Sequence, residues 1–230
     1  NDSLTLENCC FDECSSTTDH PEGGAIRCYV EWCHVNLTSC LFSKCTATGW
    51  GGAISSQGQT FTITSSIFSG CKSDDSGMAI FYNYKKRVTS QYFTLTMNQV
   101  GFINNKGKYA VNDLDVAIIK CDFLNFTRNN NLERNSPQST TQYCSVFPLL
   151  APNWHEHFQF VNLVENNGDF LLDFNEKPGG QISFVNIVRN FNLNYFFYFE
   201  SIYNSPLQGD PFIIIDNLPF SKIGQIKMQM

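Results

Sequence analysis

The sequence predicts an all-β fold, a right-handed parallel β-helix (a solenoid) of about eight coils. Three observations predict it. A large apolar anchor, followed three places later by Cys or Asn, recurs about every 30 residues of the 230-residue chain. A short alternating strand pattern precedes each anchor, and a glycine-rich tetrapeptide lies between the early motifs. Units of this size cannot bury an apolar face alone, so they stack on their neighbours.

The anchors are aromatic in the first five motifs and aliphatic in the next two. They are Phe11, Phe42, Phe68, Phe102, Phe126, Leu163 and Ile187, and a weaker copy centres on Leu218. The residues three places after them form a second set: Cys14, Cys45, Cys71, Asn105, Asn129, Asn166 and Asn190. Stacking would place like over like at about 4.8 Å, with Phe on Phe inside and a polar ladder at a bend. The crossover rule makes the coil right-handed.

The segment before each anchor alternates with period two, as a half-buried strand does. In Thr60–Thr64, for example, Thr fills the outward places. The same register continues to the position three places before the anchor, which we expect to point inward. That position holds Phe123, Phe160 and Phe184 in later motifs.

Three Asn residues begin sequons for N-glycosylation, because Ser or Thr follows each of them two places later: Asn1, Asn36 and Asn125. The register places the side chains of Asn36 and Asn125 outward, where a glycan must lie. N-glycans are therefore expected partners of the fold.

A glycine-rich element recurs at Gly23–Ile26 and Gly51–Ile54 as Gly-Gly-Ala-Ile, and at Gly77–Ile80 as Gly-Met-Ala-Ile. Small residues let the backbone turn tightly and approach its neighbours closely. The element therefore predicts a tight corner of each coil.

These two tetrapeptides resemble the repeats of the chlamydial polymorphic outer-membrane protein family, and similar repeats occur in predicted surface proteins of trichomonad parasites. Residues 1–130 carry the resemblance best, with Cys replacing Asn in the first three motifs. The resemblance implies a right-handed parallel β-helix that is exposed at the cell surface and linked to adhesion. No autotransporter barrel is recognisable, so insertion into a membrane by that route does not carry over.

The domain organisation expected is one β-helix over residues 1–230, as a segment or mature form of a longer surface protein. The chain starts with Asn rather than Met and has no apolar signal segment. Residues 130–157 are rich in Asn, Ser and Gln with Pro137, Pro148 and Pro152, which predicts an insertion protruding between coils.

The chain has ten Cys, and an even number at this density favours an oxidising compartment. Two candidate disulfides follow. One is a staple between adjacent coils, Cys9 to Cys40, and the other closes a bulge between Cys28 and Cys33. Pairing with Cys10 is an alternative for Cys28 or Cys33. The alternative is that the thiols stack as small buried groups in place of Asn. No Cys-x-x-Cys pair is present, which argues against a zinc site.

Composition excludes several function classes. The net charge is -6 and no basic cluster exceeds residues 85–87, so we expect no nucleic-acid partner. The apolar stretches are far shorter than the ~20 residues of a membrane span, so we expect no direct span in this chain.

Enzymes on this pectin-lyase-like architecture need positioned carboxylates or a calcium site. The nearest candidates are Asp74-Asp75, a set of Asp113 and Asp115 with Lys120, and the pair His155 and His157. None completes a catalytic or metal-binding pattern, so we expect no catalytic residue, no cofactor and no metal.

The function predicted from the sequence is a non-enzymatic, extracellular or cell-surface module, adhesin-like or structural, whose loops bind a protein or glycan. One alternative is a polysaccharide-active lyase or glycosidase. Another is a filament or surface-coat subunit, a homopolymer formed by stacking of β-helices, because an open solenoid end is an unpaired sheet edge.

Overall fold

The computed structural model describes residues 2–17, 21–30, 32–83, 94–108, 111–114, 118–130, 145–149, 155–167, 170–174, 181–190, 195–199, 208–209 and 213–215. Within these ranges every regular element is a β-strand and none is a helix. No helix in the described part of the chain is long and apolar enough to cross a membrane.

The strands are short, mostly of two to five residues. Those of the first half are β1 (Ser3–Glu7), β2 (Cys10–Asp12), β3 (Ser15–Ser16), β4 (Ile26–Tyr29), β5 (His34–Thr38), β6 (Leu41–Ser43), β7 (Thr46–Ala47), β8 (Ile54–Gln57), β9 (Thr60–Thr64), β10 (Ile67–Ser69), β11 (Lys72–Ser73) and β12 (Ile80–Asn83). Those of the second half are β13 (Thr94–Asn98), β14 (Gly101–Ile103), β15 (Val111–Leu114), β16 (Ile118–Asp122), β17 (Asn125–Thr127), β18 (Ser145–Leu149), β19 (His155–Val164), β20 (Phe170–Phe174), β21 (Gln181–Val188), β22 (Tyr195–Phe199), β23 (Gln208–Gly209) and β24 (Ile213–Ile215).

Each strand pairs in parallel with the strand one turn further along the chain, which confirms the predicted parallel β-solenoid. The five-residue strands stack in the order β1-β5-β9-β13-β16-β19, and the three-residue strands in the order β2-β6-β10-β14-β17-β19. The strands β4, β8, β12 and β15 form a further sheet, which extends through about four turns. Two smaller sheets have the orders β3-β7-β11 and β18-β20-β22.

The turn between the long and the short strand is formed by one residue in the left-handed conformation. This residue has φ between 49° and 56° in seven turns: Asn8, Ser39, Ser65, Gln99, Phe123, Phe160 and Phe184. Such a conformation costs about 1–2 kcal/mol for a non-glycine residue. A hydrogen bond to the next turn offsets this cost, as where the Asn8 amide donates to the Thr38 carbonyl at 3.0 Å.

The glycine-rich element fits the predicted tight corner. Its first glycine is left-handed, with φ of 66° at Gly23, 68° at Gly51 and 74° at Gly77. Its second glycine lies against the next turn, because a Cβ on Gly52 would clash with the carbonyl oxygen of Met78. The sequence Gly-Gly therefore serves two separate steric requirements.

The predicted insertion at 130–157 lies largely outside the described residues. Its described parts are the whole of β18 and the start of β19, and both pair with other strands of the solenoid. The aromatic strand β22 pairs with β20 in the same small sheet as β18.

Candidate functional site: inner ladders and outer columns

The anchor residues form one buried column. Phe11, Phe42, Phe68, Phe102 and Phe126 stack with ring centroids 4.7–5.2 Å apart and interplanar angles of 10° or less. Leu163 and Ile187 continue the column by strand pairing. All are buried except Phe11, which is half-buried. The column supplies the apolar interior on which the outer surface is built.

The residues three places after the anchors form a polar ladder inside the fold. Asn105, Asn129, Asn166 and Asn190 are buried. The Oδ1 of Asn129 accepts hydrogen bonds from both the backbone amide and the Nδ2 of Asn105, at 3.1 and 2.9 Å. The Nδ2 of Asn129 donates to the Phe102 carbonyl at 2.8 Å and to the next Asn at 3.0 Å. Every donor and acceptor of this carboxamide is therefore engaged, as burial requires.

In the first turns, Cys14, Cys45 and Cys71 hold the same ladder position. Cys45 Sγ donates to the Phe11 carbonyl at 3.5 Å, and Cys71 Sγ donates to the Phe42 carbonyl at 3.6 Å. These carbonyls belong to the anchor of the preceding turn, the same group that Asn bonds in later turns. Cys thus replaces Asn as a hydrogen-bond donor.

Neighbouring thiols of the ladder change each other's pKa. A hydrogen bond from the Cys71 thiol lowers the pKa of Cys45 to about 7. The same contact, together with burial, raises the pKa of Cys71. Burial also raises the pKa of Cys14, which lies at the end of the row. The hydrogen bond between the two thiols and burial therefore separate the pKa values of Cys45 and Cys71.

The described cysteines are free thiols. Cys9 Sγ donates to the Glu7 carbonyl, and Cys40 Sγ donates to the Leu6 and Thr38 carbonyls, so neither sulfur is bonded to the other. Cys28 and Cys33 come close, with their sulfur atoms 3.7 Å apart. This distance exceeds the ~2.05 Å of an S–S bond. Both disulfides remain predictions.

The left-handed turn residues form an outer column, and here one expectation was wrong. Phe123, Phe160 and Phe184 do not point inward but are 51%, 39% and 47% exposed. The left-handed residue interrupts the period-two alternation, so its side chain is directed outward. The three rings stack with centroids 4.7 and 4.8 Å apart. We call Phe123, Phe160 and Phe184 the phenylalanine column.

The signal that could have revealed this column is the identity of its earlier members. The same position holds Asn8, Ser39, Ser65 and Gln99, which are polar and exposed. A position that holds polar residues in the first turns predicts surface exposure in the later turns as well, even where the local alternation predicts burial.

A second outer column carries paired charges. Glu13 and Lys44 lie in adjacent turns with Oε1 and Nζ 2.8 Å apart. Further along, Glu165 accepts from Arg128 Nε at 2.6 Å and contacts Arg189 Nη2 at 2.8 Å. The Arg128 guanidinium beside Glu165 lowers the pKa of that carboxyl. These exposed pairs add little stability, but they set the pattern of surface charge.

The outward faces of β5, β9 and β13 present hydroxyl and amide groups, with one imidazole, in three successive turns. Thr60, Thr62 and Thr64 pair with Thr94, Thr96 and Asn98, and on the other side with His34, Asn36 and Thr38. We call these nine residues the threonine face. Asn36 is half-buried within it, whereas Asn125 is exposed on β17.

The carboxylates considered as catalytic candidates are engaged in surface contacts. Asp74 pairs with Lys72 at 2.6 Å, and Asp75 accepts from Trp50 Nε1 at 2.7 Å. The Trp50 ring also stacks on Phe81 with centroids 5.0 Å apart. Sequence reasoning missed this cluster because its members come from separate turns.

Lys120 is exposed on β16, whereas the other catalytic and metal candidates lie on strands whose side chains are not described, or beyond the described residues. Asp113 lies on β15, and His155 and His157 lie on β19, where they pair with Ile118 and Lys120. Asp115 is not described. Within the described ranges, no three His, Cys, Asp or Glu residues lie close enough to hold a metal ion.

Comparison of the chain with protein-family models, curated proteins and solved structures finds no match.

Proposed function

We propose that the chain is an extracellular or cell-surface module that acts by contact rather than catalysis, in an adhesin-like or structural role. In this proposal the parallel solenoid is a right-handed β-helix of about eight coils, related to the repeats of polymorphic outer-membrane proteins. Its partners are proteins or glycans of a cell surface.

The observation that carries the proposal is the threonine face. Its hydroxyl and amide groups repeat along each strand and again in each turn, about 4.8 Å apart. The hydroxyl and amide groups offer hydrogen bonds without a net charge. A partner that meets several of them at once gains affinity by adding weak contacts, as multivalent surfaces do. Loops at the ends of the strands would add specificity.

The regular interior supports a rigid presentation of this face. The Asn ladder holds one turn to the next through fully paired carboxamides, and the anchor rings stack almost in parallel. A rigid array loses little conformational entropy when a partner binds, so weak contacts are not offset by ordering costs.

A charge-insertion experiment tests the proposal. Thr62→Lys with Thr96→Lys places two charges at paired positions of the threonine face. The matched control is Ser15→Lys with Thr48→Lys, two exposed residues outside that face. We expect the first pair to weaken binding of the labelled chain to cells or immobilised glycans by about tenfold or more. Equal binding by both double variants would contradict the proposal.

The competing functions are tested with the same preparation. Release of products from a pectin and glycan panel, with or without calcium, would favour a polysaccharide-active enzyme. Filaments seen by negative-stain imaging at increasing concentration would favour a homopolymer built through open sheet edges.

A further inference from the structure

The phenylalanine column is an exposed apolar feature that the contact proposal does not use. Three aromatic side chains, each about two-fifths to one-half exposed, lie in adjacent turns. Contiguous apolar surface of this kind is usually covered by something. The residues beside it indicate what that is.

The neighbouring outward column contains three stacked asparagines, Asn125, Asn162 and Asn186, which pair through β17, β19 and β21. Only Asn125 is followed two places later by Thr, because Val164 and Val188 hold the equivalent place in the next turns. The sequon therefore occurs in the turn in which the phenylalanine column begins. Asn125 lies two residues after Phe123.

The local geometry favours modification of Asn125. Its side chain is exposed, and its Oδ1 accepts a hydrogen bond from the Thr127 hydroxyl at 2.9 Å. This bond holds the carboxamide and the hydroxyl of the sequon together, and leaves the Nδ2 of Asn125 directed away from Thr127.

The neighbours of the Phe123 ring lie in the turns on either side of it. One face of Phe123 stacks on Phe160, and the other faces the preceding turn, where Gln99 occupies the column. The Gln99 Oε1 accepts from the Ser65 hydroxyl at 3.0 Å, on the side away from Phe123.

Gly101, two residues after Gln99, pairs with Asn125. A Cβ there would meet only Ile67 and Ile103, at 3.8 and 3.9 Å. Gly101 therefore places no side chain beside Asn125 in the preceding turn.

We infer that Asn125 carries an N-linked glycan whose first N-acetylglucosamine packs over Gly101 against the exposed face of Phe123. This inference rests on the extracellular location proposed above. The sugar C–H groups carry partial positive charge and meet the negative face of the ring. Gly101 lies one turn from Asn125, about 4.8 Å away, a distance that a sugar ring spans. The glycan also covers the phenylalanine column and hinders its association with other molecules.

The attachment reaction is a glycosyl transfer from a lipid pyrophosphate-linked oligosaccharide. A bond forms between Nδ2 of Asn125 and C1 of the first N-acetylglucosamine, while the bond from C1 to the phosphate oxygen breaks. Nδ2 loses one proton, and the lipid pyrophosphate leaves with the bonding electron pair. No oxidation or reduction takes place.

The test uses the full chain, secreted through a fused signal peptide from eukaryotic cells that add high-mannose glycans. Endoglycosidase trims each glycan to one N-acetylglucosamine, so that only the first sugar remains. Phe123→Ser is the central variant, because Ser occupies the same column at positions 39 and 65. Thr127→Val removes the sequon while keeping a β-branched side chain, as Val164 and Val188 do naturally.

We expect mass spectrometry to find the sugar on Asn125. With Phe123 present, the single sugar raises the Tm above that of Thr127→Val by about 2–4 °C. In the Phe123→Ser background, the Tm of the chain with the sugar exceeds that of the chain with Thr127→Val by about 1 °C or less. The sugar-ring protons are shifted upfield in NMR spectra only when Phe123 is present.

Asn36 is an internal control, because it begins a sequon on the threonine face with His34, not Phe, two places before it. We expect Asn36→Gln, which removes the sugar on Asn36, to change the Tm by the same amount with and without Phe123. An unoccupied Asn125 in the secreted chain, or equal Tm shifts in both backgrounds, would overturn the inference. Because the signal peptide supplies the secretory route, these outcomes are independent of the binding measured for the contact proposal.

Discussion

Asn and Cys occupy one ladder position because both side chains donate to the same backbone carbonyl. The Asn carboxamide adds an acceptor that pairs with the amide of the turn before, as in the 2.8 Å bond from the Cys71 amide to Asn105 Oδ1. The thiol makes longer and weaker bonds of the same pattern. The ladder therefore gains strength where Asn replaces Cys.

Replacement of one ladder residue tests this account. Asn129→Ala removes the acceptor of the Asn105 backbone amide, one of the two acceptors of Asn105 Nδ2, and the side-chain donor to the Phe102 carbonyl. Because unpaired buried polar groups cost about 1–3 kcal/mol each, we expect a loss of about 3 kcal/mol or more in urea unfolding. Asn129→Cys, which keeps a donor, should lose clearly less. Equal losses for Ala and Cys would contradict the role of the shared carbonyl.

Two glycines separate backbone conformation from close packing. Gly70 has φ of 66°, but a Cβ there meets only Lys44 Cγ at an ordinary 3.5 Å. We expect Gly70→Ala to lower the free energy of unfolding by about 1 kcal/mol. Gly52→Ala should cost about 3 kcal/mol or more, because its Cβ would overlap the backbone of the next turn. Thermal unfolding of both variants measures the difference, and similar Tm losses would argue against the steric distinction.

The sequence predicted the inner residues much better than the turn residues. Alternation and the recurring Phe located the interior, because burial demands apolar side chains in every turn. The turn column could not be predicted in this way, since Asn8, Ser39, Gln99 and Phe123 share no side-chain chemistry. Their left-handed conformation is imposed by hydrogen bonds between turns, which no local pattern records.

At the scale of the element, β4 and the turn that follows it hold a second pair of neighbouring thiols, Cys28 and Cys33. Burial, and then the hydrogen bond with Cys33, raise the pKa of Cys28 from its ordinary 9.0 to about 11. The folded chain therefore holds a proton that the unfolded chain releases above pH 9. The stability due to this proton is fully present below pH 9 and is lost as pH rises towards 11.

Thermal unfolding under reducing conditions between pH 8 and 11 should show this loss. We expect the Tm of the chain to fall more steeply over this interval than that of Cys28→Ser, because Ser does not titrate there. Tyr29, whose pKa burial raises to about 12, is present in both proteins and cancels in the comparison. Parallel curves would show that Cys28 does not govern alkaline stability.

The β19 and β21 strands explain why element boundaries were harder to predict than element type. Each runs through its left-handed Phe without a break, so one strand covers what earlier turns divide into two. The strand type follows from alternation and β-branched residues. The boundary depends on pairing with the neighbouring turn, which is a property of the stack.

At the scale of the whole molecule, the described strands pair with strands of adjacent turns, so stability is close to a sum of one term for each turn and one for each pair of neighbouring turns. Deletion of residues 46–71 removes one full turn. It joins Cys45 to Lys72, which occupies in the next turn the place that Thr46 occupies after Cys45. We expect this shortened chain to keep its β-sheet circular dichroism and to unfold in urea cooperatively at a lower midpoint.

Deletion of residues 46–58 provides the control for register. It removes only part of a turn, so the long strand that follows would meet its neighbours out of phase and direct Phe61 away from the interior. We expect this chain to lose its cooperative transition. Cooperative unfolding of the partial deletion, or its loss in the full-turn deletion, would contradict a stack of interchangeable turns.

The outer turn column has a consequence for how such a chain changes over generations. Its backbone is held by bonds between main-chain groups, so folding places almost no demand on which side chain stands there, and Asn, Ser, Gln and Phe have all been accepted. Mutations at this column are nearly neutral for folding, so the side chains retained there are those selected for the function of the surface. Among descendants of a common ancestor, this column should diverge fastest, while the buried Asn and Cys beside it drift only between each other.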